Sequence, residues 1–399
     1  MRSDVAEAAG LDASTIVPAL SPGLRHRLAS LLRTIDTPVA GPSLPPAGHR
    51  NHRRVLRLAD LRRFLECPLQ GSARVFLGLR DLPDDTEARE SGDEPFEVPR
   101  WLERGLLAEV LTSAWVGASV PDLATLAVSY DAAIARPHHG RLLPAGLFRN
   151  NVRRRHLGIL EQWLASIAAL SPTPLGPAYR ICLGRPEPMA PNSSRRQAIR
   201  LTVEIRGESE IPVEIHGLTE PQFDFRGGSG SLVLATSASK ENDDRDSLRA
   251  LLDHVALAAS LPEDQTPALF VAAVCRPGKD HTAAQPHVVS FAPLPPALAR
   301  RYLADLAADL LGGIHSYLFP CEAVFRSWDE KMSLVDRIDQ VRADKFYRER
   351  SSSNWGPVPE PFDYPTPVAA EAERFAAARF GLLRTERAAR KQMGKKGLA

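Results

Sequence analysis

A chain of 399 residues is long enough for two or three modest domains with real cores. Its 44% hydrophobic and 25% charged content is that of an ordinary soluble globular protein, and a net charge of +2 is too balanced to argue nucleic-acid binding from bulk charge. No apolar run approaches the ~18 residues of a membrane helix. The opening "MRSDVAEAAGLDAS" lacks a basic stretch followed by an apolar one, so no signal peptide is read and a cytoplasmic location is expected. Seven lysines stand against 43 arginines. Arginine suits bidentate phosphate contacts, but a GC-rich coding bias that also supplies Ala and Pro is the simpler cause.

Residues 1–50 form a Pro- and Ala-rich segment. From 51 to 152 the pattern is helical. In "RVLRLADLRRFLECPLQ", Leu58, Leu61, Phe64 and Leu65 fall at helical spacing and Pro68 ends the run. A helix carrying Val75, Phe76 and Leu79, an acidic loop and the helix "RWLERGLLAEVLTSAWVG" follow. "VRRRHLGILEQWLASIAAL" predicts an amphipathic helix with Leu157, Leu160, Trp163, Leu164 and Ile167 inward. The period then changes to two. "RLTVEIRG" and "EIPVEIHG" alternate as half-buried strands, and "SLVLATS" reads as a third. "SLRALLDHVALAAS" is a helix with Asp246 or Ser247 as its N-cap. Strands "PALFVAAVC" and "HVVSFAPL" and a Pro-started helix ending at Gly-Gly complete the region to 320. Residues 321–399 add helices and a basic tail from Arg384 to Lys396. The expected class is α+β: a helical subdomain, then helices packed on a mixed sheet.

Several chemistries lack their signatures. "GGSGS" has no Gly-Lys-Ser/Thr ending and precedes a strand, so it is not a phosphate-binding loop. There is no G-x-S-x-G elbow. Cys67, Cys182, Cys275 and Cys321 lie far apart, and His138 and His139 sit in the polar loop "RPHHGR"; no metal site or cofactor is read.

Helix, three strands, helix, strand is the minimal core of the PD-(D/E)xK nucleases. "LRLADLRRFLECPLQGSARVFLGLRD", "DEPFEV", "LPAGLF", "LLDHVALAAS", "SYLFPCEAVFRSW" and "AERFAAARFG" follow one another between about 55 and 383. In that order they resemble the C-terminal region of the gamma subunit of exodeoxyribonuclease V, the RecC family. The resemblance implies a degenerate nuclease-like domain at 153–320, with restriction-endonuclease-like architecture. It also implies a place in a helicase-nuclease that processes double-strand DNA ends in recombinational repair. There the region packs against the helicase-nuclease (beta) subunit. The family's gamma subunit is longer, with helicase-like domains before this region, so strand separation and recognition of a regulatory DNA sequence are not carried over.

An active member of the superfamily needs an acidic residue after the second strand and an Asp/Glu-x-Lys on the third, to hold Mg²⁺ and activate water. Here the first position offers Glu220, or Asp224 a turn later. The second reads Ala238 before Lys240, or Ala235 before Ser237 in the earlier register. Leu251 and Val255 stand where active relatives carry Gln and Tyr. Glu220, Asp224 and Lys240 are thus vestigial positions, and no catalysis is expected. The alternatives are a rearranged Mg²⁺ site completed by Glu241, Asp243, Asp244 or Asp246, or a module that only binds protein. Cys67 matches a cluster cysteine of AddB-type nucleases, but only Cys321 follows residue 275, so Cys67 is read as a core thiol. Candidate DNA contacts are Arg153, Arg154, Arg155, Arg141 and Lys240, with Arg136 and the basic tail as lesser ones.

Overall fold

Strand β1 (Arg54–Arg57) leads directly into α1 (Leu58–Glu66). In the computed structural model the described residues are 54–68, 71–72, 75, 98, 100–136, 143–171, 173–184, 192–205, 210–238, 243–265, 268–278, 284–312, 321–325, 331–343 and 368–396. All belong to one unit, Arg53–Ala399. The Pro- and Ala-rich segment 1–50, most of "DEPFEV", Arg141, the two neighbouring histidines and Lys240 lie outside the described residues. Among the described residues no helix is long and apolar enough to cross a membrane.

"RVLR" continues the helical reading of the next segment in the sequence, yet it is a strand. The alternation is visible in burial: Val55 is 57% exposed and Leu56 2%. Arg57 makes the junction, with its N–H and guanidinium both donating to the Asp60 carboxylate (3.0 and 2.9 Å) at the start of α1. Helix α1 buries Leu58, Leu61, Phe64 and Leu65, the four residues its spacing predicts.

Helices α2 (Arg100–Ala114), α3 (Leu123–Ile134) and α4 (Gly146–Ala168) follow. Helix α4 starts before "VRRRHLG" and runs through the expected boundary at 152/153. Its buried side includes His156, Ile159, Leu160, Trp163 and Ile167, while Leu157 and Leu164 are only half-buried. Then come β2 (Arg180–Leu183), β3 (Ser193–Arg196), β4 (Ile199–Val203), β5 (Ile211–Leu218), β6 (Gln222–Phe225) and β7 (Gly228–Leu234). Helix α5 (Asp243–Ala259), β8 (Leu269–Cys275), β9 (His287–Phe291) and α6 (Pro296–Leu311) precede α7 (Cys321–Phe325), α8 (Leu334–Ala343) and α9 (Ala369–Lys396).

The strands form two mixed sheets rather than one. In the first, β5 is the hub: β1 pairs with it in parallel, β4 and β2 antiparallel, and β3 lies parallel to β2. The second runs β6-β7-β8-β9, with β7 parallel to β8 and the outer pairs antiparallel. Among the described residues an isolated antiparallel bridge, Tyr179 to Gln222, links β2's sheet to β6. The alternating strands at Leu201 and Ile211 therefore do not lie beside "SLVLATS". Their place is taken by β6, a four-residue strand that hairpins onto β7 through Gly227 at φ +98°. Helix α5 is the crossover that parallel β7 and β8 require. It begins three residues before the expected cap, so Asp246 and Ser247 lie inside its first turns.

Alternate side chains of β7 and β8 enter different cores. Val233, Phe270, Ala272 and Val274 pack with α1, α5 and α6. Leu232, Leu234, Val271 and Ala273 pack with α2, α3 and α4. The two central strands of the second sheet, β7 and β8, are thus buried on both faces, which accounts for their near-continuous apolar reading.

Candidate functional site: a buried arginine–carboxylate cluster

The chain leaves β5 at Gly217-Leu218 and enters β6 at Gln222. At Gly217, φ is +156° and an added Cβ would lie 2.8 Å from the Leu58 Cβ, so this turn is pressed against the first residue of α1. Thr219, Glu220 and Pro221 fill the gap. Thr219 is held by its hydroxyl, which accepts from the Ile181 N–H (3.0 Å), and by its carbonyl, which accepts from Arg180 Nε (3.0 Å). Glu220 then projects into a cluster of arginines. Arg104 Nη2 of α2 lies 2.8 Å from Glu220 Oε2, and Arg249 Nη1 of α5 lies 3.5 Å from Oε1. All three side chains are largely buried. Burial disfavours the Glu220 charge, but Arg104 and then Arg249 outweigh it, and the carboxyl is held at about 2.

Arg104 also donates through Nε to the Leu234 carbonyl (2.8 Å), where β7 ends. The next carbonyl, of Ala235, accepts from Trp163 Nε1 of α4 (2.9 Å). One guanidinium thus spans Glu220 and the end of β7.

Behind Glu220 is a second acid, Asp253 on the inward face of α5. Its Oδ2 accepts from the Glu220 N–H (3.0 Å), the Ser231 hydroxyl (2.7 Å) and Gln222 Nε2 (3.1 Å). Ser231 and Gln222 are fully buried and Asp253 is 3% exposed. Burial, followed by the neighbouring Glu220 charge, pushes Asp253 up to about 8. Asp246, one turn before Arg249, is also raised by burial and lies 3.9 Å from Arg249 Nε.

Of the three positions the sequence reading takes as vestigial, Glu220 is at the centre of this cluster. Asp224 is not: it sits on the exposed side of β6 and accepts from the Tyr179 hydroxyl (2.9 Å). Lys240 and Glu241 lie outside the described residues, as do the side chains of Asp243 and Asp244. Leu251 and Val255 are fully buried. Among the described residues no group of three His, Cys, Asp or Glu side chains is placed to hold a metal. The carboxylates that do converge are already committed to guanidiniums or to hydrogen bonds, so they do not fit a hard divalent cation.

The arginine run is split by α4. Arg153 makes a bidentate pair with Asp131 of α3 (2.8 and 2.7 Å), and Arg155 pairs with Glu103 of α2. Arg154 is exposed and has no ion pair among the described residues. Arg136 pairs with Glu109. Beneath Arg155 a buried chain runs from Glu103 to His156 Nε2 (3.1 Å) and from His156 Nδ1 to the Tyr130 hydroxyl (2.9 Å), tying the three helices together. All four cysteines are buried, Cys67 at 3% exposed.

Arg104, Arg249, Asp253, Gln222 and Ser231 were not among the residues the sequence singles out. One signal existed: Asp253 interrupts an apolar helix face between Leu252 and Val255, and Arg249 lies one turn before it. No protein-family model matches the chain, and no curated protein matches it.

Proposed function

We propose that this chain is a catalytically silent, nuclease-like scaffold. In this reading it handles double-strand DNA ends in the cytoplasm, beside the helicase-nuclease subunit of an exodeoxyribonuclease V-type complex. The observation that carries the silence is Glu220: its carboxylate is held by Arg104 and Arg249, and Ala235, without a carboxylate, stands past β7. In this reading the guanidiniums compensate the Glu220 charge that a metal would compensate in an active nuclease. The order α4, strands, α5, β8, with β7 parallel to β8 and β6 antiparallel, supports the PD-(D/E)xK-like architecture. A scaffold of this kind serves by its surfaces, since fold alone does not carry chemistry.

The test is incubation of the purified chain with linear duplex DNA and Mg²⁺, read on a gel. No cleavage is expected. Cleavage that disappears in Lys240→Ala would overturn the reading. A parallel gel-shift series from low to physiological salt should show binding that weakens steeply as salt rises. No shift at any salt would remove the DNA-handling half of the proposal.

A further inference from the structure

A pocket of about 560 Å³ opens beside the cluster, between α1, the end of β5 and α5. Arg62 and Arg249 face it from two helices, with Leu58, Leu218 and Leu252 as an apolar wall. No residue of β7 lines it. Its acidic groups are already engaged. Arg104 takes Glu220, and Asp253 accepts from Ser231 and the Glu220 N–H. Glu214 lies 3.2 Å from Arg200 and 3.5 Å from His216. The two arginines are not satisfied in the same way. Arg62 Nε lies 3.5 Å from Glu66 Oε1, one turn on, and this ion pair does not complete a hydrogen bond. Arg249 Nη1 lies 3.5 Å from Glu220 Oε1, and its Nε lies 3.9 Å from Asp246 Oδ1, beyond hydrogen-bond reach.

Two buried guanidiniums held only by long ion pairs, beside a cavity of ligand size, are suited to the oxygens of an anionic ligand. Burial, and then the Arg249 charge, pulls Arg62 down to about 10, which leaves it charged at neutral pH and repelled by its neighbour. We propose that the pocket binds a phosphate monoester, its oxygens on Arg62 and Arg249 and its sugar or base against the leucine wall. A free mononucleotide and the 5′-phosphorylated end of a DNA strand present the same chemistry. The site does not require the DNA-handling reading, because a mononucleotide alone tests it.

The experiment is calorimetric titration of the whole chain at low ionic strength with deoxyadenosine monophosphate and with deoxyadenosine. DNA hairpins ending in 5′-phosphate or 5′-hydroxyl then compete for the site. The monophosphate should bind at least tenfold tighter than the nucleoside. That preference should vanish in Arg62→Gln and persist in Arg154→Gln. Stronger competition by the phosphorylated hairpin assigns the source to a strand end; equal or absent competition by the hairpins assigns it to a free nucleotide. No preference for the monophosphate overturns the proposal, and so does a preference that survives in folded Arg62→Gln. Should Arg62→Gln fail to fold, Arg62→Lys keeps the charge but not the planar fork. It should lose at least threefold, and unchanged affinity overturns the site.

Discussion

Burying a carboxyl with no cation in contact shifts it toward the protonated form, and Asp253 is in that position on α5. Its pKa is about 8 when folded against an ordinary 3.8, so the native state holds a proton that the unfolded chain releases between these values. Stability from this group is therefore full below about pH 4 and is lost as pH rises toward 8, with a slope of up to about 1.4 kcal/mol per pH unit. Glu220 acts in the other direction. Held at about 2 against 4.5, it contributes fully above pH 4.5 and is lost as pH falls toward 2. His254, stacked against both Phe270 and Phe291 and lowered to about 4 by burial, also favours the native state as pH rises from 4 to 6.5. Above pH 6.5 the Asp253 slope stands alone among these three. Asp253→Asn keeps an acceptor for the Glu220 N–H and removes the proton. Its urea midpoint should be nearly flat from pH 6.5 to 8, where the native protein's midpoint declines. Parallel declines in the two proteins would show that Asp253 is not the source.

At the scale of elements, Gly228 and Gly230 of "GGSGS" have a packing explanation. An added Cβ at Gly230 would lie 2.5 Å from the Val271 carbonyl oxygen and 2.7 Å from the Phe223 ring; at Gly228 it would lie 2.1 Å from the Leu269 carbonyl oxygen. These positions let β7 approach β8 while the Phe223 and Phe225 rings cover it. Gly230→Ala should cost about 3 kcal/mol through overpacking against fixed backbone, measured by denaturant unfolding. A loss below about 1 kcal/mol would show that the strands relax apart freely. The long elements were legible because their periods are strong: α1, β4, β5, α5, β8 and α6 all lie where the patterns put them. The short ones were not. "RVLR", "RICL", "SSRR" and "QFDF" are four residues each, too brief for a period, and their strand state is decided by partners far along the chain. Periodicity also says which face is buried, never against which sheet, so the separation of β4 and β5 from β7 was hidden. The cluster was hidden for a related reason. Arg104, Glu220 and Arg249 come from three distant segments, and each alone reads as a surface charge.

For the molecule as a whole, the expected boundaries cut through shared structure. Residues 153–320 leave out β1 and α1, which fill one core with Leu56, Leu58, Leu61, Phe64 and Leu65. They also leave out α2 and α3, which cover the opposite face of β7 and β8 with Leu106, Leu107, Leu111 and Tyr130. Salt-bridge partners are lost as well, since Arg104 is in α2. A 153–320 fragment should lack a cooperative thermal transition and bind a hydrophobic dye. The full chain should melt cooperatively. A sharp transition in the fragment would show that its half of the core suffices.

Strand β1 also sets a schedule. It leaves the ribosome about 160 residues before Val213–His216, the residues it pairs with, emerge. At ~5–20 residues per second this is a wait of roughly 8–30 seconds with backbone donors and acceptors open to any passing strand. The sequence of β1 suits that interval. Arg54 and Arg57 bracket Val55 and Leu56, placing a positive charge at each end of its apolar pair. The same arginines that frame the edge of the finished sheet would repel a second nascent copy of it during synthesis.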